Sequence, residues 1–271
     1  MKGVDAKTIT VNAKSNLAFT LLCLPKEKRK DMESFYAFCR VVDDIADEPG
    51  FDYEQRMEML GEWKEGLFNG FLDPNSLQNE VLALGKKYTI SPELFVEIIK
   101  GMEMDVCGTE YATFDDLKRY CYRAASVVGL ICLKIFGAND PRSKDYAINL
   151  GYALQLTNII RDVGEDYKMG RVYIPDEDLE KCNITKEDLI SSANSRAFID
   201  LMELQADRAE YYFKEAEANI CAGDYASLRT ARCMGRIYYL ILKKIRKGRF
   251  KVFEKRYRIG KVRKIIALLG Y

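Results

Sequence analysis

Tyr36, Arg40, Asp43 and Asp47 follow one another at separations of four, three and four residues. At 3.6 residues per turn they fall within roughly 60° of one another on a helix, with Asp44 at the margin of that face. The rest of the segment, FYAFCRVVDDIADE, is apolar through Phe35, Phe38, Val41, Val42 and Ile45. A stripe of phenol, guanidinium and carboxylates on such a helix must face a cavity or a partner, because unpaired carboxylates are costly to bury. An isolated D-D-x-x-D of this kind is more often a solvated acidic face paired with Lys or Arg, so this segment alone decides nothing.

A second segment, YALQLTNIIRDVGEDY, sets Gln155, Asn158, Asp162 and Asp166 at separations of three, four and four. They again form one stripe, within about 80°, flanked by Leu154, Leu156, Ile159, Ile160 and Val163, with Glu165 beside it. Gln and Asn inside an apolar helix, leading into two carboxylates one turn apart, are poorly explained by solubility. Mg²⁺ prefers hard oxygen ligands and is typically held by one or two carboxylates together with substrate phosphate oxygens. Two facing D-x-x-x-D stripes can therefore hold Mg²⁺ against a diphosphate, with Arg40, Arg161 and Arg171 adding charge-assisted bonds to its oxygens.

In a third segment, YCYRAASVVG, helical spacing puts Tyr120, Ala124, Val127 and Ile131 on one face, a hydroxyl above small and apolar groups. Taken alone, that pattern is more often core packing. The chain has no histidine, which removes Ser–His and Cys–His nucleophile pairs and every His-ligated metal site. Its 8 cysteines contain no C-x-x-C pair and read as reduced thiols of a cytoplasmic protein. Chemistry must rest on carboxylates, tyrosines, Arg/Lys or an oxygen-bound metal.

The elements that position these residues read as helices. Amphipathic or buried helical patterns cover Lys26 to Glu48, Tyr53 to Phe68, Pro92 to Val106, Phe114 to Phe136, Pro141 to Tyr167, Ala197 to Ile220 and Leu228 to Arg246. Ser91-Pro92-Glu93, Thr113-Phe114-Asp115-Asp116 and Asp140-Pro141 supply start signals, and Gly137, Gly170 and Gly248 supply stops. Only Arg171 to Ile174 reads as a short extended piece. With 271 residues, 48% hydrophobic, and no linker, repeat or low-complexity stretch, the expectation is one all-α domain over residues 1–271 with a chamber inside.

Nothing at the N-terminus resembles a signal peptide, and the longest apolar run, Val127 to Phe136, is too short to span a bilayer. Net charge is only +1, yet Lys243 to Lys264 carries 12 Lys/Arg against the single acid Glu254, leaving −10 on the rest of the chain. Such a basic end suits an anionic partner: diphosphate, lipid headgroups or nucleic acid.

FYAFCRVVDDIADE, YCYRAASVVG and LQLTNIIRDVGEDYKMGRVYIP, in that order and at those separations, closely resemble the signatures of the squalene/phytoene synthase family. The resemblance runs from about Lys14 to Ile266. It implies an all-α isoprenoid-synthase bundle with a central apolar cavity, Mg²⁺ and two prenyl diphosphates. The metal positions implied are Asp43, Asp44, Asp47, Asp162 and Asp166. Tyr36, Arg40, Gln155, Asn158 and Arg161 fall where the family contacts diphosphates, and Tyr238, in GRIYYLIL, at a further cavity tyrosine. Tyr120 falls at the tyrosine implicated in proton transfer or cation stabilisation. The start departs from the family's serine-rich segment: Asn16 and Ala18 replace hydroxyls, leaving Ser15 and Asn16 as donors to one diphosphate.

The reaction this implies is ionisation of one allylic diphosphate, capture of the carbocation by the second substrate's double bond, and proton loss that closes a cyclopropane. Tyr120 or the departing diphosphate would take the proton. The substrate read from VVDDIADE is farnesyl diphosphate, with presqualene diphosphate as product and squalene or dehydrosqualene beyond it; the alternative is phytoene from two geranylgeranyl diphosphates. NADPH would serve a reductive second step, and Lys251 to Lys264 can meet its phosphates or an anionic membrane at the inner face. A nucleic-acid-binding protein would leave both aspartate stripes unexplained. An inactive relative does not fit the presence of every metal-position aspartate, and metal-dependent hydrolysis is the remaining enzymatic alternative.

Overall fold

A computed structural model describes residues 20–269, so Ser15 and Asn16 lie outside the described residues. After a short turn at Leu21–Cys23 come α1 (Lys26–Asp47), α2 (Tyr53–Asn69), α3 (Ser76–Tyr88), α4 (Pro92–Val106) and α5 (Phe114–Cys121). A π-turn, Tyr122–Ser126, joins α5 to α6 (Val127–Phe136). Then follow α7 (Arg142–Lys168), α8 (Asp176–Lys181), α9 (Arg196–Ala218), α10 (Arg229–Lys247) and α11 (Lys261–Leu269).

The seven expected helices are present, the fourth interrupted by the π-turn; α3, α8 and α11 are additional. Asp52, Asn75 and Thr113 each close a capping box at the start of α2, α3 and α5, and Gly137 ends α6 at φ 75°. The expected extended piece at Arg171 to Ile174 is not a strand: no strand occurs among the described residues. Instead, the backbone N–H of Asp176 donates to Tyr111 O (2.9 Å) and that of Glu177 to Ala112 O (3.1 Å), fixing this loop to the one before α5.

Two apolar cores flank a central space. One gathers Phe35, Phe38, Trp63 and Phe95 from α1, α2 and α4, with edge-to-face ring contacts of 5.3 and 5.4 Å around Phe38. The other is built on α7, α9 and α10 around Leu156, Ile160, Phe198, Leu201 and Ile241. Each such side chain contributes roughly 1.5–3 kcal/mol when fully buried. Ala124 and Ala231 touch both cores, and their small side chains leave the space between them open.

The width of that space is set where α7 crosses the π-turn. A Cβ on Gly151 would overlap the backbone of Ser126, and Ser126 Oγ donates to Ile148 O (2.8 Å). Gly101 of α4 meets Arg123 and Ala124 from the other side, where an added Cβ would lie 3.2 Å from the Arg123 side chain. Gly151→Ala gains about 1 kcal/mol of helix propensity but overpacks against backbone, which costs about 3 kcal/mol. The expected result is a net loss of about 2 kcal/mol by urea or thermal unfolding. Gly61→Ala on α2, with nothing within 4 Å, is expected to stabilise by up to about 1 kcal/mol in the same measurement.

Candidate active site

The central cavity, about 640 Å³, is lined from α1, α4, the π-turn, α6, α7 and α10. Its spine is a single stripe of α7. Tyr146, Leu150, Leu154, Asn158, Asp162 and Asp166 all line it at four-residue intervals, spanning about 30 Å at 1.5 Å per residue. The N-terminal part of the stripe is apolar and the C-terminal part acidic, so the cavity has a greasy far end and a charged mouth.

The mouth brings the two sequence stripes face to face. From α1, Tyr36, Arg40, Asp43 and Asp47 line the cavity; from α7, Gln155, Asn158, Arg161, Asp162, Glu165 and Asp166 do. Arg171 and Tyr238 line it as well, and Tyr120 lies in the wall. Asp44 does not line the cavity: it sits beside it with Oδ1 2.5 Å from Arg40 Nη2. Arg40 also holds Asp43 at 2.9 Å. Arg171, in the loop after α7, reaches α1, meeting Asp47 Oδ1 at 2.5 Å and donating to Ala46 O at 3.1 Å, while its backbone N–H donates to Asp166 O at 2.9 Å. Arg56 donates to Ile45 O (2.9 Å) and Glu48 O (2.7 Å), satisfying carbonyls at the α1 terminus that carries Asp47.

On α7, Arg161 makes two bonds to Asp162, 2.9 and 2.5 Å, and also interacts with Tyr238. Arg256 reaches the same carboxylate at 3.1 Å and Glu165 at 3.0 Å. Part of the basic C-terminal stretch thus turns inward onto the site, while Arg246 is occupied by Glu203 and Glu210 of α9. Burial, reinforced by neighbouring carboxylates, pushes Asp43 up to about 7 and Asp166 up to about 8. Asn158 Oδ1 is buried without a hydrogen-bond partner. The mouth holds more negative charge and acceptor capacity than its arginines satisfy, which suits a cation.

The π-turn corrects one expectation. Helical spacing puts Val127 and Ile131 on one face with Tyr120 and Ala124, but they turn away from those two and are fully buried in the α1–α4 core, as core packing requires. Val128 and Cys132 line the cavity instead. The extra residue per turn of a π-segment advances the helix face by one position.

The residues that sequence reasoning missed surround Tyr120. Asp105, at the end of α4, accepts from Tyr173 (2.6 Å) and Tyr120 (3.0 Å), whose rings stack at 5.0 Å. Tyr111 packs against both. Burial pushes Asp105 up to about 6 and Tyr120 well above the ordinary phenol range. The loop carrying Arg171 and Tyr173 is anchored by Asp178, which is fully buried, accepts from Gln205 (3.0 Å) and pairs with Arg208. Asp105 falls in GMEMD, a helix end that reads as ordinary amphipathic sequence; no spacing signal marks it.

Residues 10–263 match the family described as squalene/phytoene synthase. Phytoene synthase 1, chloroplastic, of Arabidopsis thaliana is 36% identical over 267 residues, which is 94% of this chain and 62% of the plant protein. The 15-cis-phytoene synthase of Synechocystis sp. is 32% identical over 262 residues, 91% of this chain and 77% of the relative. Among solved structures, a dehydrosqualene synthase in complex with ligand superposes with a TM-score of 0.82 at 27% identity, over 97% of this chain and 93% of that one. A squalene synthase from Alicyclobacillus acidocaldarius does so with a TM-score of 0.77 at 28% identity, over 90% and 93%. A sequence match over nearly the whole chain and the shared all-α isoprenoid-synthase fold lead to one conclusion: this chain belongs to the squalene/phytoene synthase family of prenyltransferases.

Proposed function

We propose that residues 1–271 act as one domain that joins two farnesyl diphosphates head to head, giving presqualene diphosphate. The observation that carries this reading is the α7 stripe, apolar from Tyr146 to Leu154 and acidic from Asp162 to Asp166 beneath the facing carboxylates of α1. Such a cavity suits two molecules that each have a long apolar tail and an anionic head. Phe35, Phe136 and Tyr146 add bulk to its apolar lining, which favours the shorter prenyl chain. The names of the dehydrosqualene and squalene synthases of similar fold point the same way. The 36% identity to a plant phytoene synthase favours a second reading, phytoene from two geranylgeranyl diphosphates.

In this reading Asp43, Asp47, Asp162 and Asp166 hold Mg²⁺, with Asp44 in reserve behind Arg40. When bound, Mg²⁺ supplies Lewis acidity and charge neutralisation at the leaving diphosphate. Arg40, Arg161 and Arg171 place donors around the phosphate oxygens, helped by Tyr36, Gln155 and Asn158; Ser15 and Asn16 serve one of the two diphosphates. The apolar wall keeps water from the carbocation, and the faces of Tyr120 and Tyr238 stabilise its passage. NADPH would enter only in a second, reductive step to squalene.

No helix among the described residues is long and apolar enough to cross a membrane. Exposed Val262, Ile265 and Ile266 on α11, beside Arg263 and other basic residues, support peripheral contact with an anionic leaflet, where substrate and product reside.

Purified protein with Mg²⁺ and farnesyl diphosphate is expected to give a thirty-carbon diphosphate by mass spectrometry of the lipid extract. NADPH and geranylgeranyl diphosphate are the comparison arms. Asp43→Ala and Asp162→Ala should each lower kcat by about 10²–10³. A forty-carbon product from geranylgeranyl diphosphate alone would move the chain to the phytoene reading, and diphosphate release without a coupled lipid would overturn condensation. Because Asp43 and Asp166 retain protons near neutrality without a cation, binding Mg²⁺ must release them. Apparent Mg²⁺ affinity, measured by calorimetry, is therefore expected to rise from pH 6.5 to pH 8.5, and a pH-independent affinity would contradict that assignment.

A further inference from the structure

We infer that Asp105 is the outlet for the proton lost on cyclopropane closure, acting through Tyr120 and discharging into a second, polar chamber behind the cavity wall. The inference rests on the condensation reading above. Three observations carry it. Asp105 lines the main cavity together with Tyr120, and Tyr120 Oη donates to Asp105 Oδ2 at 3.0 Å. Asp105, Arg171 and Tyr173 also line a separate chamber of about 100 Å³, whose other walls include Thr109, Glu110 and Lys186. At roughly 30 Å³ per water that chamber has room for about three. Its rim reaches solvent at Glu110, whose side chain is 76% exposed and meets Lys186 at 3.1 Å.

The partners of the other cavity carboxylates set Asp105 apart. Asp43, Asp47, Asp162 and Glu165 are held by the guanidinium groups of Arg40, Arg171, Arg161 and Arg256, and Asp166 lies beside Asp162 without a phenol donor among the described residues. Asp105 is held by two phenols. A carboxylate so placed can take a proton from one phenol while the other, Tyr173, keeps it oriented. Tyr120 alone is a poor base, because burial keeps it a neutral phenol. The aspartate behind it supplies the missing basicity.

C1 of the ionised substrate has bonded to C2 of the acceptor, leaving positive charge at C3. The C1–H electron pair closes the C1–C3 bond, and the proton passes to Tyr120 Oη as the phenol's own proton moves to Asp105 Oδ2. A cation and a carboxylate become a neutral cyclopropane and a carboxylic acid. Asp105 then releases its proton to water in the small chamber.

The test is Asp105→Asn, near-isosteric and still able to accept from a phenol, assayed with farnesyl diphosphate and with substrate deuterated at C1. The expected result is a loss of about 10²-fold or more in kcat with KM unchanged. A primary deuterium isotope effect should also appear that the wild type lacks, because proton removal has become rate-limiting. A merely structural role would not produce that isotope effect. Tyr173→Phe, which keeps the carboxylate and its link to Tyr120, should lose far less activity. Thr109→Leu, at a position that lines the chamber but not the main cavity, should reproduce the isotope effect and is the deciding variant if Asp105→Asn does not fold. A folded Asp105→Asn with wild-type kcat and no isotope effect overturns the inference, as does an unaffected Thr109→Leu in the event that Asp105→Asn fails to fold. No coupled product from the wild-type chain would overturn the condensation reading itself; coupled product from both wild type and Asp105→Asn at equal rates would overturn the proton outlet alone.

Discussion

Carboxylates gathered at the mouth of an apolar cavity repel one another, and much of this structure exists to hold them there. Asp43 and Asp47 from α1 face Asp162 and Asp166 from α7, with Asp105 behind them. Left alone in so dry a place they would take up protons, and Asp43 and Asp166 are already displaced in that direction. Arginine is suited to this position because its planar fork makes two bonds at once and stays charged in surroundings where lysine would not. Arg171 reaches from the loop after α7 to Asp47 of α1, Arg161 and Arg256 converge on Asp162, and Arg40 straddles Asp43 and Asp44. In the proposed reading each of these contacts is exchangeable: an arginine that holds a carboxylate would turn to a phosphate oxygen once a cation takes the carboxylate.

That exchange needs a rigid frame, supplied by the backbone contacts around the π-turn. Gly151 lets α7 ride directly on Ser126, and Gly101 lets α4 approach from the opposite side. These contacts fix α7 and α4 against the π-turn more firmly than side-chain packing could, because backbone cannot swing aside. Asp178, buried between α8 and α9, does the same for the loop that carries Arg171 and Tyr173.

The sequence shows the aspartate stripes plainly, since both lie on uninterrupted helices where 3.6-residue arithmetic holds from end to end. The same arithmetic fails beyond Ala124, where the π-turn adds a residue and moves the cavity face from Val127 and Ile131 to Val128 and Cys132. A π-turn has no spacing signature of its own; it depends on what packs against it, and that is tertiary information. Asp105 was hidden for a related reason: its partners Tyr120 and Tyr173 are 15 and 68 residues away. The basic C-terminal stretch was visible as charge, but composition could not divide it into Arg246, paired with α9, and Arg256, turned into the site.

The cavity itself sets the remaining constraint. At about 24 cal/mol per Å³, a dry and rigid void of 640 Å³ would cost about 15 kcal/mol, as much as the whole stability of an ordinary domain. A chain can carry such a space only if it stays hydrated or occupied and if the cores beside it close without it. Both conditions are met by the layout. The aromatic cluster around Phe38 and the α7–α9–α10 core are each continuous, and they share little beyond the small side chains of Ala124 and Ala231. The charged mouth gives water a reason to enter, and an apolar chain that displaced it would gain the contact with the apolar lining that water does not make. In the proposed reading substrate binding and the completion of the core are the same event, so affinity for the apolar tail should depend on the far wall while turnover depends on the mouth.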